Sequence, residues 1–216
     1  MSSRHHEQLK KIASLALEDL SLRHEVREKA LRLGRNVIRL SANAIRAIHR
    51  QEFNEAQQLL DHAKTLLSQT METLEKFPDI YFAGYLADAR KEYSEGNITL
   101  ALISNRTLPK PSELKVGMTS YLNGLGEAIG ELRRYILDSI RRDEIEQCEE
   151  LLEVMDEAYT ILVTMDFPDA LTGGLRRTTD MVRGVLERTR GDLTMALRQR
   201  QLRDSIAYLT QHLSDT

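Results

Sequence analysis

The sequence predicts an all-α protein of about seven long antiparallel helices, closed into a bundle over residues 1–216 as a single domain. Three observations predict it. Apolar residues recur at about 3.6-residue spacing along nearly the whole chain, and no stretch shows the strict alternation of a strand. Only 11 Gly and 4 Pro punctuate 216 residues, too few for the turns of a β-sandwich or barrel. Aromatic residues make up 5% and Trp is absent, so the core must be aliphatic, which suits helices packed through Leu, Ile, Ala and Met.

The breakers define the elements. They cluster at Phe77-Pro78-Asp79, Pro109-Lys110-Pro111, Phe167-Pro168-Asp169 and Gly173-Gly174. Residues 4–20 form a first helix at the periphery of the domain. The next spans 21–50, with Val26, Ala30, Leu33, Val37, Leu40, Ala44 and Ile48 on one side. Helices follow at 52–76 and 79–104, the second opened by Pro78 in its first turn. The remaining three run over 117–141, 143–166 and 172–212, with Gly191 a candidate break in the last. FPD recurs at 77 and 167 as a shared loop solution between helices, not as a repeat.

Composition excludes several classes. Hydrophobic content of 41% and charged content of 29% belong to a soluble globular chain. The sole cysteine, Cys148, has no intrachain partner, falls on the apolar face of 143–166, and suits a reducing compartment. No run reaches the roughly 18 apolar residues of a membrane span, so a cytoplasmic protein with no membrane partner is expected. GxxxxGK[ST], GxSxG, CxxC and HExxH are absent, and no histidine has Glu three residues before it, which removes the di-iron bundle. The histidines read as ordinary surface or core residues.

Net charge is −3, but charge is segregated. Residues 21–50 carry eight Arg or Lys against two Glu, and 143–157 carry eight acids and no base. On a helical wheel Arg32, Arg35, Arg39, Arg46 and Arg50 fall within about 60° of one another, opposite the apolar side. A solvated face is the plain reading, yet such faces usually mix signs to form i,i+4 pairs, and no acid follows Glu28 here. Unrelieved guanidinium groups suit a polyanion, which they fork in two-point fashion. The rival is an acidic partner helix, and 143–157 is an internal candidate.

Two groups of acids face the same question. In DARKEYSEG, residues 88–96, Asp88, Glu92 and Glu95 share one side of a helix, with Arg90 and Lys91 pointing elsewhere. Glu92 lies within an apolar stripe, and burying it is costly unless it is paired. Either an Arg from a neighbouring helix pairs with it, or the acids converge on a divalent cation, Mg²⁺ or Mn²⁺. In YLNGLGEAIGELRRYILDSI, residues 121–140, the face opposite Leu125, Ile129, Leu132 and Ile136 carries Asn123, Glu127, Gly130, Glu131 and Arg134. Gly124, Gly126 and Gly130 inside one helix cost up to about 1 kcal/mol each, which implies close approach of a backbone or ligand. Glu131 reads as a structural acid bonded to an Arg.

In order and spacing, REKALRLGRNVIRLSANAIRAIHR, KEYSEG, YLNGLGEAIGELRRYILDSI and FPDALTGGLRRTTDMVRGVLERTRGDL resemble the translin and translin-associated factor X (TRAX) family, in its archaeal-type single-chain form. The resemblance spans residues from about 20 to about 200. It implies a helical fold assembled as a hollow homo-oligomer, usually an octamer, that binds single-stranded RNA or DNA on its inner surface. TRAX-type members carry Glu-x-x-Glu on one helix and an acid on the next, and are Mg²⁺-dependent endoribonucleases. Glu92 and Glu95 match the first element. Glu127 stands in the place of the third acid, where TRAX commonly has Asp, and Glu131 belongs to the same helix motif. The resemblance thus implies catalysis and metal binding by Glu92, Glu95 and Glu127, with Glu131 a further ligand. The alternative is a translin-type shell that binds nucleic acid without cleaving it.

Overall fold

The computed structural model describes residues 2–81 and 84–214, with side chains for 5–80 and 84–213. The described residues form nine helices and no strand. Six are long: α1 (Ser2–His49), α2 (Phe53–Leu74), α4 (Gly84–Ile103), α6 (Met118–Arg142), α7 (Cys148–Val163) and α9 (Leu175–Ser214). Three are single turns in the connections: α3 (Pro78–Tyr81), α5 (Pro111–Leu114) and α8 (Asp169–Thr172).

The breaker clusters lie where the helices stop, but several boundaries differ from the sequence reading, the helix expected at 79–104 among them: the described residues there form the single turn α3 and then α4 from Gly84. Residues 4–20 and 21–50 are one helix, because neither Gly nor Pro interrupts the chain before Gly34. The helix expected at 143 starts at Cys148: Asp143 takes a left-handed conformation (φ 63°), closes α6, and sends the chain through a turn. Gly191 does not break α9, since nothing crowds it and an isolated helical glycine costs only about 1 kcal/mol.

The packing order runs α2, α1, α4, α6 and then α7 and α9. α4 lies at the centre and is buried on most sides, hence its weak amphipathicity. Ile48, Leu60, Ile98, Ile129, Leu132, Ile136, Met155 and Leu162 fill the aliphatic core between these layers. Cys148 packs into it fully buried, as the sequence indicates. The two ends project: residues 5–22 of α1 and 201–213 of α9 are exposed throughout, Leu9, Ile12, Leu20, Leu202, Ile206 and Leu209 included. No helix among the described residues is long and apolar enough to cross a membrane.

Candidate metal centre and nucleic-acid face

α4 and α6 meet at Gly124. A Cβ there would lie 2.7 Å from the Lys91 carbonyl oxygen and 3.0 Å from the Glu95 amide nitrogen, so only glycine lets the two backbones come this close. Gly126 does the same for α9, where a Cβ would collide with Thr178. Asn123 is no part of an open face. It is buried, bonded to the carbonyls of Thr119 and Thr172, and accepts from the Thr178 hydroxyl, locking α8 and α9 onto α6.

This crossing sets Glu127 against Glu92 and Glu95. One carboxylate oxygen from each lies within 4.8 Å of the other two. Asp88 is exposed and stands apart, so the acidic row of α4 splits after its first member. Glu95 is 7% exposed. Burial first, then the charges of Glu92, Glu127 and Glu131 and a hydrogen bond with the Glu127 carboxyl, push its pKa up to about 9. Burial and the neighbouring negative charges thus favour the neutral form of Glu95. Glu92 is also raised, by burial and the Glu127 charge, with Lys91 opposing.

Lys91 does not point elsewhere. Its ammonium crosses to α6 and donates to Glu127 Oε1 at 2.7 Å, with Glu92 Oε1 at 3.6 Å. Burial lowers its pKa, but the hydrogen bond to Glu127 and the surrounding acids outweigh that and raise it. Among the described residues, then, the ion pair on Glu92 comes from a lysine of its own helix rather than from an arginine of a neighbour.

Glu131 sits one turn beyond Glu127. Its main partner is a histidine, not an arginine: His49 Nε2 donates to Oε2 at 2.5 Å, while Arg134 stands off at 3.8 Å. The His49 side chain is 6% exposed, and its Nδ1 is buried without a partner. Sequence reasoning missed this residue. Its only signal was its place at the end of the Arg helix, on the side turned from solvent.

Arg32, Arg35, Arg39 and Arg46 are exposed along α1, and Arg50 is exposed in the turn that follows it. Asn36 and Asn43, which interleave with them, accept hydrogen bonds from Arg39 and Arg46. Arg50 pairs with Glu52 at 2.5 Å and Glu55 at 3.5 Å. Arg32 and Arg35 have no ion pair among the described residues. The acids of 143–157 do not serve this ridge: Asp143, Glu146 and Asp156 pair with Arg203, Arg200 and Arg190 of α9. The His49–Glu131 contact ties the end of the ridge to the acid cluster. The tyrosines offer little for base stacking. Tyr93 is buried, its pKa pushed up to about 12 by desolvation, and the Tyr85 hydroxyl is buried without a partner. The Tyr81 side chain lies outside the described residues.

A bundle of long helices, with acids from two adjacent helices converging beside an exposed arginine face, defines the class. Comparison with known proteins then gives the family. No family model matches the sequence. An uncharacterized protein of Methanocaldococcus jannaschii, MJ0175, is 30% identical over 194 residues, covering 87% of this chain and 83% of its own length. The crystal structure of AfC3PO superposes with a TM-score of 0.79 at 33% identity, covering 90% of this chain and 99% of that one. AfC3PO in complex with duplex RNA gives 0.77 at 32%, covering 90% and 98%. Apo-NeC3PO, at 21% identity and 0.76, covers 86% and 96% and shares the fold. The chain belongs to the translin/TRAX family.

Proposed function

We propose that this protein is an oligomeric RNA-binding endoribonuclease that depends on Mg²⁺ or Mn²⁺. The observation that carries the reading is the convergence of Glu92, Glu95 and Glu127 from two helices. The donor set fits a hard divalent cation: all oxygen, from three carboxylates that burial and mutual charge set against one another. Glu92, Glu95 and Glu127 would hold the ion, with Glu131 beside them. When bound, the ion supplies Lewis-acid polarisation of a phosphate and a more acidic water.

The chain's own residues do the rest. Glu95 would have to be ionised to serve as a ligand. His49 holds Glu131 in place. Arg32, Arg35, Arg39, Arg46 and Arg50 take the phosphodiester backbone without reading sequence, because phosphate contacts carry no base information. The AfC3PO structure with duplex RNA supports RNA as the ligand class. Single strands, and DNA as a second ligand, belong to the same proposal. The exposed leucine and isoleucine side chains at the two projecting helix ends support self-association into a hollow shell, an octamer by family resemblance, since a soluble monomer seldom leaves such surface uncovered.

A labelled single-stranded RNA incubated with the protein in Mg²⁺, beside EDTA and the Glu92→Gln variant, tests the reading. Cleavage is expected only for wild type with metal. RNA bound but left intact in all three reactions would reject the nuclease and leave the translin-type binding shell.

A further inference from the structure

We infer that Lys91 is a built-in counter-cation of the acid cluster, which a divalent ion displaces and which then engages a phosphate oxygen of the bound RNA. The inference rests on the metal-site reading above.

The ammonium occupies the place a metal would take. It bridges α4 and α6, 2.7 Å from Glu127 and 3.6 Å from Glu92, two of the three carboxylates that converge. A divalent ion coordinated by these oxygens at about 2.1 Å would leave Nζ within a few ångströms of a double positive charge. Like charges at that separation in a half-buried site repel strongly, so the two cations exclude one another. Lys91 can leave: its side chain is 24% exposed and rides on a flexible four-carbon stem. The inner side of the cluster is closed by the helix crossing at Gly124, so the way out is toward solvent. That is also the only direction from which a phosphate reaches a cation held here. An ammonium released beside it finds an anion oxygen in place of Glu127.

Two opposite effects follow from removing the charge, and they set this role apart from a merely structural salt bridge. Lys91→Met is expected to bind Mn²⁺ about tenfold or more tightly without RNA, by titration calorimetry or by the loss of free-Mn²⁺ paramagnetic signal. At saturating Mn²⁺ the same variant is expected to cleave RNA on the order of 10²-fold more slowly. Lys91→Gln, which keeps a polar tip, should follow the same direction, and circular dichroism checks that both variants are folded. Mn²⁺ affinity equal to or weaker than wild type in both variants overturns the inference while leaving the metal site standing. Undiminished cleavage overturns the phosphate contact. A wild-type protein that takes up no Mn²⁺ rejects the metal-site reading itself, and this inference with it.

Discussion

Replacing Gly124 with alanine would put a methyl group into the α4–α6 crossing. It would stand 2.7 Å from the Lys91 carbonyl oxygen, 2.8 Å from Ser94 Cβ and 3.0 Å from the Glu95 amide nitrogen. None of these is the end of a flexible side chain, so no rotamer change relieves the clash, and α4 must back away. Overpacking of this kind costs about 1–3 kcal/mol. Alanine returns up to about 1 kcal/mol in helix propensity. Gly124→Ala should therefore destabilise the fold by up to about 2 kcal/mol. At roughly 2–4 °C per kcal/mol, the melting midpoint should fall by up to roughly 8 °C. Gly130 lies on the same helix with nothing near its missing Cβ. Gly130→Ala collects only the propensity gain and should raise the midpoint by about 2–4 °C. The assay is thermal unfolding of both variants at one protein concentration, since assembly makes the midpoint concentration-dependent. Two variants that move together, in either direction, would refute the close-contact reasoning.

Glu95 makes stability depend on pH. Its carboxyl keeps a proton up to about pH 9 in the fold but ionises near 4.5 in the unfolded chain, so the native state binds more protons between those values. This group's contribution is full below the lower value and is lost as pH rises through the upper one. Urea unfolding in EDTA should give lower stability at about pH 8 than at about pH 5, with Glu95→Gln flattening the trend; a wild-type stability that climbs over that range, unchanged by Glu95→Gln, refutes it. His49→Phe leaves the half-buried Glu131 carboxylate without its main donor and should cost about 1–3 kcal/mol. His49→Gln, whose amide can replace Nε2, should recover most of that in the same unfolding experiment, and equal losses in the two variants would count against the pairing.

Much of this was legible along the chain, and the residues that were not share one property. Glu92, Glu95 and Glu127 stand out because a carboxylate inside an apolar stripe, or beside glycines in a helix, violates a local rule. Lys91 violates none: the wheel places it off the acidic face, and only the nearness of α6 lets its long stem reach Glu127. His49 is one of six histidines, and its partner is 82 residues away. The 143–157 acids found their arginines on α9 rather than α1 because α7 packs against α9, which no periodicity encodes.

The sequence alone determined that the chain is helical, where its main breakers fall, the exposed arginine face of α1 and which acids are candidates. All of these follow from spacing within one helix, where a residue's neighbours are fixed by 3.6-residue geometry. The tertiary structure decided which acids meet, which of them burial drives toward the neutral form, and which cation pairs with them. Those depend on α4 and α6 touching at Gly124 and on α1 bringing His49 to Glu131, contacts between residues far apart in the chain whose burial and mutual charge exist only once the helices have packed.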